Sequence, residues 1–201
     1  MMKKNISNKF NIALLGLLVL TQSCNSITFL KPGDSAPNFK SKSSMGMTSL
    51  KKLYKNTDHL FLYAIDKKCP FNAKAAKYYM RVLDNYKKHF KGKVKFIGII
   101  NGNQNDLDKF KKKHKWSDLE ALFDPDEKIV TQYKIRSSPW LFHIGKDKKI
   151  KQVWQGYSKK DFRSLNKAMS QAVGKRLKKI DVEGAPKFTR AGCIFQWVAE
   201  S

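Results

Sequence analysis

Phe61-Leu62-Tyr63-Ala64-Ile65-Asp66-Lys67-Lys68-Cys69-Pro70-Phe71-Asn72 is the stretch around which the rest of the chain can be arranged. Its first five residues are apolar or β-favouring and run into a short charged turn. Cys69-Pro70 comes next, and Ala73 to Leu83 then forms a strongly helical run, Ala-Lys-Ala-Ala-Lys-Tyr-Tyr-Met-Arg-Val-Leu. A cysteine at a strand-to-helix junction sits near the positive end of the helix dipole, where unpaired N–H groups stabilise an anion. That setting lowers a thiol pKa and favours the thiolate, the reactive form. Lys67 and Lys68 act in the same direction. The competing reading is a small buried hydrophobe, the usual state of a free cysteine. Junction and proline together favour the reactive thiol.

Upstream, the 201-residue chain opens on a segment that is not read as part of the fold. Lys3, Lys4 and Lys9 precede the apolar run Ile12 to Leu20, nine residues long and too short to span a bilayer. This reads as an export signal, and its end, Leu20-Thr21-Gln22-Ser23-Cys24, resembles a bacterial lipoprotein signal cut before a lipid-bearing cysteine. Ser23 fits that pattern, whereas Thr21 stands where leucine is usual. An ordinary cleaved signal with a chance cysteine is the alternative. The expected organisation is therefore a signal at 1–23, a tether at 24–32, a domain at 33–174 and a basic extension at 175–201. The expected location is the cell envelope, on the periplasmic or outer face.

Net charge is +25, and removing the signal takes away three lysines and no acid. Such a charge raises nucleic acid and anionic membranes as partners. The lysines are dispersed, as at Lys87-Lys88, Lys111 to Lys113 and Lys148-Lys149, without an RNA-binding signature or zinc-finger spacing. A solvated Lys-rich surface is the expectation, with no nucleic-acid partner. His59, His89, His114 and His143 have no ligand spacing to Cys69, so no metal is expected. With Cys24 set aside, Cys69 and Cys193 remain, enough for either one structural staple or one working redox couple.

The downstream chain reads as alternating elements. Met47 to Tyr54 suggests a short helical turn, Leu60 to Ile65 a strand, and Ala73 to Phe90 a helix closed by Gly92. Val94 to Ile100 is a buried strand, Asp106 to Phe110 opens a helix, and Leu119 to Phe123 suggests a brief strand. Asp124-Pro125-Asp126 suggests a helix cap with Pro125 at the first position. Trp140 to Ile144 and Ile150 to Trp154 form a hairpin, and Ser158 caps a helix to Val173. Ile194, Phe195, Trp197 and Val198 imply that the tail docks on the domain or on a partner.

The order of elements, Pro32 to Phe39, Cys69-Pro70 and Ser138-Pro139 together resemble the thioredoxin-like superfamily. Within it the chain is similar to the redoxin branch, the alkyl hydroperoxide reductase/thiol-specific antioxidant (AhpC/TSA) type. The resemblance implies an α/β fold: a central mixed sheet flanked by helices, in a single domain with a C-terminal extension. It implies Cys69 as nucleophile, a cis Pro139 preceded by Ser138 facing it, a substrate site at Pro70, Ser138 and Pro139, and Cys193 as a resolving thiol. It implies no cofactor. Implied partners are protein thiols or disulfides, or a small thiol or peroxide, with the membrane reached through lipid on Cys24.

Departures from the pattern narrow the activity. Asn72 stands where a Cys-x-x-Cys motif would place its second cysteine, and Lys68 replaces the usual tryptophan. Asp66 and Leu62 occupy the places of the hydroxyl residue and proline of peroxidatic relatives, with Arg136 a candidate for a nearby positive charge. An exported, anchored thiol–disulfide oxidoreductase is therefore the leading reading. A weak one-cysteine peroxidase and a non-catalytic adapter are the alternatives.

Overall fold

The computed structural model describes residues 28–199. Its organising strand is β3 (His59–Ile65), in which Leu60 through Ile65 are all fully buried. Alternation explains the burial: Phe61, Tyr63 and Ile65 enter one core, while Leu60, Leu62 and Ala64 enter the other. β4 (Val94–Ile100) pairs parallel to β3 from His59↔Val94 to Ile65↔Ile100. β7 (Trp140–Ile144) pairs antiparallel on its other side, and β8 (Ile150–Trp154) continues the hairpin. β5 (Ala121–Phe123) extends the sheet parallel to β4. The hairpin β1 (Lys40–Ser43) and β2 (Gly46–Ser49) completes a seven-stranded order β2-β1-β5-β4-β3-β7-β8.

Helices cover both faces. α2 (Pro70–Tyr86) and α5 (Lys159–Val173) pack through Tyr79, Val82, Phe162 and Met169 into the core that holds Tyr63. α3 (Gln104–His114) adds Leu107 and Phe110 to the same core. On the opposite face lie α1 (Leu50–Leu53) and α4 (Lys128–Gln132), which contribute Leu50, Leu53, Ile129 and Val130. The architecture is an α/β single domain with a mixed sheet between helical layers.

Three local expectations are corrected. Met47 to Ser49 belongs to a strand, and helix begins only at Leu50, where the Ser49 side chain accepts the Lys52 N–H. α2 starts at Pro70 because proline lacks the N–H that a first helical position cannot use, and it ends at Tyr86 before a 3-10 turn. Pro125 does not open α4. Instead Glu127 takes a left-handed conformation, and the buried Asp124 carboxylate accepts the Ile129 and Val130 N–H groups at 3.0 and 2.9 Å.

The residues after α5 do not float. They run back along α2, where Tyr86 Oη accepts the Lys178 N–H at 2.9 Å and Tyr78 Oη donates to the Glu183 carbonyl at 2.8 Å. Tyr157 and Arg190 then exchange backbone hydrogen bonds. Two short strands follow, β6 (Ser137–Ser138) and β9 (Cys193–Ile194), paired antiparallel. Phe195 beyond them is 1% exposed in the second core, just before α6 (Gln196–Ala199).

At the far end of the sheet, His59 Nδ1 lies 3.0 Å from His143 Nε2, and the His143 ring stacks on Phe61 at 4.3 Å between centroids. Burial, reinforced by His59 and Lys151, lowers the His143 pKa from 6.5 to about 4. A folded pKa below the unfolded one means that the native state binds fewer protons. Stability is therefore full above pH 6.5 and falls as pH drops toward 4, by up to about 3 kcal/mol from this residue. Denaturant titrations at pH 7.5, 5.5 and 4.5 should show this decline, and His143→Phe should flatten it.

Candidate active site

Cys69 is the N-cap residue of α2, with extended backbone (φ −74°, ψ 117°) and a side chain that makes no capping bond. The turn before it is tightly tied. Cys69 N–H donates to the Asp66 carbonyl at 3.0 Å, and the Asp66 carboxylate accepts the Lys68 N–H at 2.9 Å. Asn101 Oδ1 accepts the Lys67 N–H at 2.9 Å. Cys69 is 6% exposed, so its sulfur sits at the mouth of the fold rather than out in solvent.

Asn72, in the place of a second motif cysteine, is 1% exposed and works as a tie. Its Nδ2 donates to the Asp66 carbonyl at 2.7 Å, and its Oδ1 accepts from Tyr63 Oη at 3.2 Å. Ser138 Oγ lies 2.8 Å from that same Oδ1 and 3.0 Å from the Ala64 carbonyl, while accepting the Asp66 N–H at 2.9 Å. One hydroxyl proton serves only one of the two acceptors at a time. The network links the end of β3, the start of α2 and the segment before Pro139.

The Ser138–Pro139 peptide is cis. Its neighbour Cys69 has Sγ 3.5 Å from the Ser138 carbonyl oxygen. Register places Cys193 directly opposite Ser138, and Cys69 and Cys193 form a disulfide with Cα atoms 5.6 Å apart and a sequence separation of 124. The Cys193 N–H points at Cys69 Sγ from 3.1 Å. Geometry thus brings together Cys69, Pro70, Ser138, Pro139 and Cys193. Cys24 lies outside the described residues. Arg136 is exposed, and its backbone carbonyl holds the tail by accepting the Phe195 N–H at 3.0 Å.

Two features of the tail could not be read from residue types alone. A Cβ on Gly192 would fall on the Ser138 carbonyl oxygen and within 3.2 Å of Cys69 Sγ, so only glycine lets the strand come this close. Trp197, two residues after the buried Phe195, donates its indole N–H to the Ile135 carbonyl at 2.7 Å, and Glu127 accepts its backbone N–H at 3.0 Å. The Gly-Cys pair and the late aromatics were the visible signals; their register on β6 was not.

A buried central strand leading to a cysteine at a helix start, faced by a cis-proline segment, defines the thioredoxin-like class of folds. The chain belongs to the AhpC/TSA family, whose model matches residues 32–153. That span holds Cys69, Ser138 and Pro139 and stops before α5 and Cys193. Among solved structures, an uncharacterized conserved protein from Geobacillus kaustophilus is similar at TM-score 0.64 and 16% identity, over 84% of this chain and 93% of its own. The thioredoxin domain of a thiol-disulfide oxidoreductase from Bacteroides vulgatus gives TM-score 0.57 and 16% identity, over 70% and 99%. A thiol:disulfide interchange protein from Bacteroides sp. gives 0.56 and 17%, over 72% and 91%. No curated protein matches the chain.

Gly192→Ala should push β9 off β6. In a defined thiol buffer the equilibrium constant for closing Cys69–Cys193 should fall by about tenfold or more, or about 1.4 kcal/mol. Mass spectrometry of alkylated thiols would measure it, and an unchanged constant would mean that the strand tolerates a side chain there.

Proposed function

We propose that the protein is an exported, lipid-anchored thiol–disulfide oxidoreductase of the cell envelope, with Cys69 as nucleophile and Cys193 as resolving thiol. The observation that carries this reading is the Cys69–Cys193 disulfide at the start of α2, beside the cis-proline segment. In the reduced protein, the Cys69 thiolate attacks one sulfur of a substrate disulfide. A mixed disulfide forms and the other substrate sulfur leaves as a thiolate. Cys193 then attacks Cys69 Sγ, closes the internal bond and releases the second substrate thiolate. Two electrons pass from the protein to the substrate, and the reverse sequence oxidises a dithiol.

The fold supports this sequence in two ways. The helix start and the Cys193 N–H both favour negative charge on the Cys69 sulfur. The tail, held by Tyr157, Arg136, Ile135 and Glu127, keeps Cys193 at high effective concentration while its two-residue strand is short enough to let go. Asn72 takes no part in the exchange and fixes the turn that presents the nucleophile.

Cys69→Ser should abolish catalysed reduction of a protein disulfide such as that of insulin. Cys193→Ser should leave the first attack intact and accumulate mixed disulfides at Cys69, visible as a substrate-sized mass shift. Loss of activity in Cys193→Ser with no trapped species would count against the resolving role. Cys24→Ala should move the mature protein from the membrane to the soluble fraction; unchanged fractionation and no acyl mass on the wild type would refute the anchor.

A further inference from the structure

A cavity of about 300 Å³ opens directly beside Cys69, between the loop that follows β3 and one face of α3. Helical spacing builds its α3 wall: Asp106, Lys109, Phe110, Lys113 and His114 stand at intervals of three and four, on one stripe. Lys67 and Lys68 form the opposite wall, on the loop that carries the nucleophile. Phe110, 6% exposed and 4.5 Å from the His114 ring between centroids, gives the wall an apolar base.

The charges on these walls do not cancel. Asp106 is the one carboxylate lining the cavity, and it is already engaged by Lys67 at 3.2 Å and by the Asn103 N–H at 3.1 Å. Among the described residues Lys68, Lys109 and Lys113 form no ion pair. His114 stays neutral near pH 7, since burial first and Lys113 second lower its pKa. Three uncompensated ammonium groups therefore surround a space that the nucleophile-bearing residue, Cys69, helps to line. Cys193 is not part of the lining.

We propose that this cavity is a subsite for a small thiol bearing one or more carboxylates, which serves as the electron donor that reopens the Cys69–Cys193 disulfide. The inference rests on the oxidoreductase reading above and names its small-molecule partner. Volume favours a small occupant, because about 300 Å³ is the lower end of ligand-sized pockets. Carboxylates on the donor pair with Lys68, Lys109 and Lys113, raising the local concentration of an anionic nucleophile that its own negative charge would otherwise leave dispersed in solvent. The donor thiolate attacks Cys69 Sγ, the internal S–S bond breaks, and Cys193 leaves as a thiolate. A second donor thiolate attacks the donor sulfur of the mixed disulfide, releasing a donor disulfide and the Cys69 thiolate. Two donor thiols are oxidised and one protein disulfide is reduced.

The test is the rate of disulfide opening in the oxidised full chain with three probes: 3-mercaptopropionate, 2-mercaptoethanol and cysteamine. Rates are normalised to thiolate concentration and corrected for thiol basicity. The carboxylate probe should exceed the ammonium probe by about tenfold at low salt, and the gap should shrink as salt screens it. Lys109→Gln/Lys113→Gln should bring the carboxylate-to-neutral ratio near one, and Lys109→Arg/Lys113→Arg should restore it. Lys146→Gln/Lys148→Gln, at the opposite end of the sheet, should leave the ratio intact. Equal normalised rates for all three probes, or a ratio untouched by the glutamine pair, would overturn the subsite and leave the oxidoreductase reading standing. A preference seen only with an acidic cysteine peptide and not with 3-mercaptopropionate would also overturn it, in favour of protein recognition. Failure of the earlier reading would look different: Cys69→Ser would reduce insulin as well as wild type.

Discussion

Ser138 is the residue through which the site's parts constrain one another. Its hydroxyl accepts the Asp66 N–H and lies against Asn72 and Ala64, fixing the turn that carries Cys69 to the end of β3. Its carbonyl lies 3.5 Å from the Cys69 sulfur, its backbone pairs with Cys193, and its peptide bond to Pro139 is cis. Side chain and main chain thus serve different partners, and Ser138 is fully buried. Losing the hydroxyl would leave the part-buried Asp66 N–H without this acceptor, at a cost of about 1 kcal/mol. The damage would fall on the position of the sulfur as well as on stability.

Legibility in the sequence followed burial. β3, β4 and β7 announce themselves because their residues are apolar on both faces, as strands between two helical layers must be. β1, by contrast, reads Lys-Ser-Lys-Ser; it sits toward the sheet edge and is held by pairing to Met47, Thr48 and Ser49, leaving no apolar alternation to detect. β6 and β9 are two residues each, and nothing local makes them strands; their pairing is a tertiary outcome. Cys69 could be singled out by its place at a strand-to-helix junction, and Pro139 and Cys193 through the family resemblance. Asn72 registered as a missing cysteine, while its role as a three-way tie appears only with Tyr63, Asp66 and Ser138 around it.

The tail lies beyond the span that the family model matches. Residues 32–153 match the AhpC/TSA model, yet one sulfur of the disulfide comes from a segment far beyond them. That segment crosses α2, bridges Tyr157, pairs with β6 and buries Phe195 in the second core. Closing a loop across 124 residues removes unfolded-state entropy equivalent to about 5 kcal/mol in the chain-entropy account. Redox state and fold stability are coupled through one bond, so in the reduced protein the tail is held by its hydrogen bonds and by the buried side chains of Val182, Ala185 and Phe195.

Position gives Trp197 an optical role. Of the four tryptophans, Trp116, Trp140 and Trp154 are buried in the cores at 3–4% exposure. Trp197 is the one carried by the tail itself, with its indole N–H on the Ile135 carbonyl only four residues from Cys193. Any release of β9 takes that indole from a half-buried, hydrogen-bonded seat into water. The chain therefore carries its own fluorophore for the opening and closing of the disulfide, readable in native protein without a label.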